Sequence, residues 1–205
     1  MTIRSHVGDL PDLAHYDVEA VAIDTETLGL NPHRDRLCVV QISPGDGTAD
    51  VVQILPGQRK APNLVALLKD RKITKIFHFG RFDLAVLANA FGVMPEPVFC
   101  TKIASRLTRT YTDRHGLKDI CSELLGVSLS KVQQSSDWAA EKLTPEQLEY
   151  AASDVLHLHA LREKLVARLA RETRTKEADA CFRFLPTRAK LDLMGWPEDD
   201  IFAHS

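Results

Sequence analysis

The sequence predicts an α/β fold built on a mixed sheet, and three observations carry that expectation. Three β-rich runs with tight connections read as an antiparallel meander at 20–23, 37–43 and 49–54. Beyond them strand, helix and strand alternate, a crossover pattern that makes parallel pairs. The second half then carries apolar residues at helical spacing. With 205 residues and 44% hydrophobic content there is enough apolar side chain for one well-packed core. A single domain over 1–205 is expected, with its core at about 20–170 and a C-terminal helical extension and tail at about 171–205.

The first strand, Ala20 to Ile23, follows a short leader that can supply one more. Leu37 to Ser43 (LCVVQIS) and Ala49 to Ile54 (ADVVQI) flank the turn-forming Pro44-Gly45-Asp46-Gly47. Leu64, Leu67 and Leu68 mark an amphipathic helix, and Lys75 to Phe79 (KIFHF) returns as a strand. Arg81 to Phe91 places Leu84, Leu87 and Ala88 on one helical face and stops at Gly92. Val98 to Ala104 reads as a fifth strand, for five or six in all. Leu117 to Leu125 is a helix ended by Gly126, and a polar loop runs from Ser128 to Trp138. Thr144-Pro145-Glu146-Gln147 is the clearest helix start: an N-cap threonine, proline at the first helical position and glutamine at the third. Leu148, Ala152, Val155, Leu158, Leu161, Leu165 and Leu169 extend that helix to about Ala170, and a last helix spans Thr175 to Leu193.

Charge and cysteine content exclude several classes of function. With 26 basic and 28 acidic side chains the net charge is −2, so any hold on a polyanion must be local. Cys38, Cys100, Cys121 and Cys181 form no C-x-x-C pair, which argues against a zinc site or disulfide framework. No apolar run is long enough to cross a bilayer, and a reducing cytoplasm is the expected location.

The chemistry centres on Val21 to Leu30 (VAIDTETLGL). Residues i and i+2 of a strand share a face, so Asp24 and Glu26 project together, and a hard divalent cation resolves their repulsion. Tyr150 and Asp154 stack one helical turn apart on a late helix. Asp83 sits in the first turn of the helix after KIFHF, where the macrodipole also favours an acid. Four acids are the right inventory for two metal ions.

Asp24-Thr25-Glu26-Thr27, His78 to Leu84 (HFGRFDL) and Tyr150 to Val155 (YAASDV) resemble the three motifs of the DEDD superfamily of 3′–5′ exonucleases. The Y-x-x-x-D spacing is that of its tyrosine subclass. Gln134-Ser135-Ser136-Asp137-Trp138, with Leu143, Gln147 and Tyr150, resembles the stretch before the third motif in ribonuclease D. The short length is most similar to the small bacterial nano-RNases of the family. The helical nucleic-acid-binding domains of full-length ribonuclease D have no counterpart, and the tail from about Glu172 is unassigned.

The resemblance implies a ribonuclease H-like fold and a 3′–5′ exoribonuclease that degrades short oligoribonucleotides, down to dinucleotides, to nucleoside 5′-monophosphates. It implies two divalent cations, Mg²⁺ or Mn²⁺, with Asp24 bridging both, Glu26 and Asp154 completing the first site and Asp83 holding the second. Tyr150 would orient the attacking water with Glu26 as acceptor. Leu30 and His78 are the substrate-side candidates, as a base wedge and as a phosphate contact or orienting histidine. Trp138 is expected to anchor packing, and Arg106, Arg109, Arg114 and Lys118 to form either a phosphate-binding flank or a solvated mixed surface. The expected partner is short single-stranded RNA, with DNA as an alternative. Trp196, Pro197, Ile201 and Phe202 suggest a homo-oligomer, and the resemblance implies the ring-like octamer of the small nano-RNase that the chain is most similar to. Rival readings are a general ribonuclease D-like trimming or DNA-directed exonuclease, and an RNA-binding module without catalysis.

Overall fold

The computed structural model describes residues 2–130 and 132–204. The elements in chain order are β1 (Thr2–Val7), β2 (Ala20–Thr27), β3 (Leu37–Ser43), β4 (Thr48–Gln53), α1 (Pro62–Lys69), β5 (Thr74–Phe77), α2 (Gly80–Phe91), β6 (Val98–Cys100), α3 (Thr101–Thr108), α4 (Leu117–Leu125), α5 (Pro145–Leu156), α6 (Leu158–Arg171) and α7 (Thr175–Leu193). Six strands form one mixed sheet in the order β1-β4-β3-β2-β5-β6. β2, β3 and β4 are the antiparallel meander, and β5 and β6 extend it in parallel beyond β2. The leader supplies β1, parallel to β4 at the other edge. None of the described helices is long and apolar enough to cross a membrane.

Every residue of β3 is buried, because the strand lies mid-sheet with both faces covered. On one face Val39 and Val51 pack with Trp138, Leu143 and Ala151, so α5 covers that side. On the other, Val40 and Val52 join the larger core with Leu64, Leu84 and Leu87 of α1 and α2. This division decides the site. In the β2–β3 register Asp24 lies opposite Gln41 and Glu26 opposite Val39, which puts both acids on the α5 side. Thr25, between them, faces the α2 side, where its hydroxyl donates to Asp83 at 2.7 Å.

Two elements differ from expectation. The strand expected over Val98 to Ala104 ends at Cys100, and α3 begins at Thr101. Thr101, Ala104, Ser105 and Thr108 are buried at i, i+3, i+4 and i+7, a helical stripe made of small and polar residues that hydrophobicity does not register. The helix expected from Thr144 to Ala170 divides at His157, whose ψ of −8° departs from helical geometry. Leu161 N–H still donates to the His157 carbonyl at 3.0 Å, so the apolar stripe runs through the break and hides it. The capping box is formed in both directions: Gln147 N–H donates to Thr144 Oγ1 at 3.2 Å, and Thr144 N–H to Gln147 Oε1 at 2.9 Å.

Candidate active site

The end of β2, the β5–α2 junction, the start of α4 and the face of α5 enclose a cleft of about 630 Å³. Asp24, Glu26 and Asp154 each present a carboxylate oxygen there, all within 4.8 Å of one another. β2 delivers the first two by its two-residue period, and α5 delivers Asp154 one turn after Tyr150. Asp83 comes from the opposite face: it is 3% exposed in the first turn of α2 and is held by Thr25. It stands outside the three-acid cluster but still acts on it through space.

Electrostatics match a site built to receive positive charge. Burial pushes all four acids up, and repulsion among them adds to the rise at Asp24 and Glu26. Glu26 reaches about 8, Asp154 about 7 despite its contact with Tyr150, and Asp83 about 7 despite the Thr25 hydrogen bond. Among the described residues no salt bridge involves any of the four. A hard, all-oxygen donor set without a side-chain counter-ion fits Mg²⁺ or Mn²⁺ and does not suit a soft metal.

The remaining side chains sort by position. Burial, then Asp154, Glu26 and Asp24, raises the Tyr150 phenol far above its ordinary value, so its hydroxyl stays a neutral donor. Its ring packs against buried Trp138 with centroids 5.9 Å apart, which makes Trp138 the expected packing anchor. Leu30 is 84% exposed on the cleft rim and is no buried turn leucine. A Cβ on Gly29 before it would run into the Asp35 carboxylate, so a larger residue there would have to displace that side chain. His78 also lines the cleft, with Nδ1 2.9 Å from Thr101 Oγ1. Burial and Lys102 hold its pKa near 3, so the ring is neutral.

Of the basic flank, Lys118 lines the cleft, whereas Arg109 is turned inward. Its guanidinium pairs with Glu123 and donates to Ser105 Oγ at 3.0 Å, so it offers no open phosphate surface, whereas Arg114, paired with Asp119 at 2.6 Å, stays exposed on a mixed surface.

Sequence reasoning missed Gln41, Phe79 and Lys102. Gln41 Nε2 donates to Asp24 Oδ2 at 2.9 Å, fixing the orientation of that carboxylate. A lone glutamine in the apolar run LCVVQIS was the available signal, since a buried amide needs a partner. Phe79 and Lys102 line the cleft from the β5–α2 junction and α3. Lys102 sat inside the stretch read as strand, and its place could not be foreseen from that reading.

The chain is similar to known proteins over most of its length. Residues 12–170 match the 3′–5′ exonuclease family. Ribonuclease D of Gluconacetobacter diazotrophicus is 36% identical over 154 residues, 75% of this chain but 39% of that protein. The chain thus spans about two fifths of the length of such ribonuclease D relatives. Brucella melitensis NrnC with bound Mg²⁺ is 78% identical, with a TM-score of 0.97 and all of both chains covered. The same protein bound to pGG superposes with a TM-score of 0.98 at 78% identity, again over all of both chains. Escherichia coli RNase D matches at 29% identity and a TM-score of 0.76, over 86% of this chain and 46% of that one.

Proposed function

From the premise that this chain belongs to the 3′–5′ exonuclease family, we propose that it is a cation-dependent 3′–5′ exoribonuclease acting on short RNA down to the dinucleotide. The observation that carries this reading is the three-carboxylate cluster beside Tyr150, in a cleft where, among the described residues, no salt bridge pairs with it. Likeness over the whole chain to Brucella NrnC, which has been seen with Mg²⁺ and with pGG, supports the cation and the size of the substrate.

In this reading Asp24, Glu26 and Asp154 would hold one cation, and Asp24 with Asp83 would hold a second. Two Mg²⁺ or Mn²⁺ ions would supply Lewis-acid charge for the phosphoryl oxygens and make the attacking water more acidic. The Tyr150 hydroxyl orients that water, and Glu26 takes its proton. The water oxygen bonds to phosphorus in line with the departing 3′-oxygen. The P–O3′ bond breaks, the departing 3′-oxygen takes a proton from solvent to become the 3′-hydroxyl of the shortened RNA, Glu26 returns its proton to solvent, and a nucleoside 5′-monophosphate leaves. Leu30, apolar and exposed on the rim, wedges between the last two bases. His78, neutral and tied to Thr101, orients the substrate side of the cleft without adding charge.

The experiment is a product ladder from 5′-phosphorylated RNAs of two to about ten nucleotides in Mg²⁺, with deoxy counterparts, read as kcat/KM because discrimination appears in that ratio. The expected result is mononucleotide release, fastest on the shortest RNAs. A ratio that climbs steadily with length would favour a trimming enzyme, and one equal on DNA would remove the RNA preference.

We also propose that the chain is a cytoplasmic homo-oligomer. The tail folds back, with Arg81 and Arg188 donating to the Pro197 and Trp196 carbonyls, yet Met194, Ile201 and Phe202 remain exposed. Light scattering on the full chain tests the assembly, and a monomer at micromolar concentration would refute it.

A further inference from the structure

Phe79 is held where a bulky residue is rarely found. It connects β5 to α2 with φ 66° and ψ 37°, the left-handed region that glycine or asparagine adopts most readily. The neighbouring glycine does not relieve the turn, because a Cβ on Gly80 would come within 2.8 Å of Phe77 Cβ and the chain must pass close there. Strain of this kind persists where surrounding structure enforces it, and it gathers at functional sites. Phe77 and Phe99 are buried in the core, but Phe79 is 47% exposed and lines the same cleft as the acids and Leu30. Lys102 Nζ lies 4.3 Å from the ring centroid, a cation–π contact that orients the ring and sets a positive charge beside it. An apolar ring spread into a polar cleft, with a cation at its side, suits a planar base attached to a phosphate.

We propose that Phe79, steadied by Lys102, is a nucleobase-stacking platform and a specificity-determining residue of the cleft. The proposal rests on the nuclease reading for its substrate, but the contact itself requires only binding. Stacking engages a π-face that every base has, so the platform adds affinity for a based nucleotide over an abasic one. Purines, with the larger face, gain more than pyrimidines.

The test measures binding of a 5′-phosphorylated purine dinucleotide with Ca²⁺ in place of Mg²⁺, and turnover in Mg²⁺, for wild type, Phe79→Gly, Phe79→Asn and Phe79→Trp. Loss of one stacked base weakens binding roughly 10- to 100-fold in the glycine and asparagine variants, while tryptophan retains it. KM should rise more than kcat falls. Both small residues tolerate the positive φ, so thermal stability and Mg²⁺ affinity should not drop. A dinucleotide made abasic at the stacked position should bind wild type and Phe79→Gly alike. Binding by Phe79→Gly within twofold of wild type, an equal loss whichever position is abasic, or a wild type that binds no dinucleotide would each overturn the platform. A wild type that binds but releases no nucleotide would overturn the nuclease reading alone, and the binding series would still decide the role of Phe79.

Discussion

Three carboxylates with oxygens inside 4.8 Å repel one another until a divalent cation sits among them, and this governs what substitution there does. Asp24→Ala, Asp83→Ala and Asp154→Ala should each abolish nucleotide release while leaving the metal-free melting temperature unchanged or higher. Release assays in Mg²⁺ and Mn²⁺ beside thermal melts check this, and near-normal turnover by all three variants would sink the two-cation assignment. Tyr150→Phe removes a hydroxyl but keeps the ring that packs on Trp138. It should retain metal affinity and lose about 10²–10⁴ in kcat, the usual share of a positioned proton-transfer or water-orienting group. Lost stability with intact kcat would instead make Tyr150 a packing residue.

At the scale of elements, the site depends on two attachments far from the acids. β1 is tied to β4 by Asp50, 3% exposed, which accepts from Arg4 at 2.8 and 2.7 Å and from Tyr16 at 2.5 Å, with His6 Nε2 2.7 Å away. Burial pushes the Asp50 carboxyl up, but the hydrogen bonds from Arg4, Tyr16 and His6 outweigh it and hold the pKa near 2. A depressed carboxylate stabilises the fold above its unfolded pKa of about 4, and that contribution is lost as pH falls toward the folded value. Asp50→Asn should therefore lower stability by about 3–5 kcal/mol at neutral pH and flatten the acid limb of the melting curve. An unchanged acid limb would show that the network contributes nothing. At the other attachment, Thr144 caps the helix that carries Tyr150 and Asp154. Thr144→Ala should cost about 0.5–2 kcal/mol in denaturant unfolding, and Thr144→Ser should restore most of it.

For the whole molecule, the raised acids link stability to pH and metal. Glu26 near 8 and Asp154 near 7 hold protons that the unfolded chain releases from about pH 4 upward. Their contribution is full below the unfolded values and is lost progressively as pH rises from about 4 through 7 to 8, so in a chelator the melting temperature should fall across that whole range. Mg²⁺ binds the ionised cluster in the folded chain and should reverse the trend. Melts with EDTA and with Mg²⁺ over the same pH series check this, and parallel slopes in the two would mean that no cation occupies the cluster.

The sequence by itself determined which residues are candidates for the chemistry and much of the scaffold. Asp24 and Glu26 at strand spacing, Tyr150 and Asp154 at helix spacing, and the Thr144 capping box are local patterns, and local backbone geometry was enough to read them. Only the tertiary structure decided how they meet. The β2–β3 register sets Gln41 against Asp24, and Thr25 brings Asp83 to the far side of the same strand. Arg109 shows the limit most plainly: its sequence neighbourhood resembles a basic flank, but its guanidinium turns inward to Glu123 and Ser105. The turn to α3 at Thr101 and the left-handed Phe79 were equally hidden. Small polar residues carry the buried stripe of α3, and a positive φ at phenylalanine is imposed by the packing around it, not by its own preference. Periodicity reports a residue's own backbone, whereas pairing, burial and strain belong to neighbours distant in sequence.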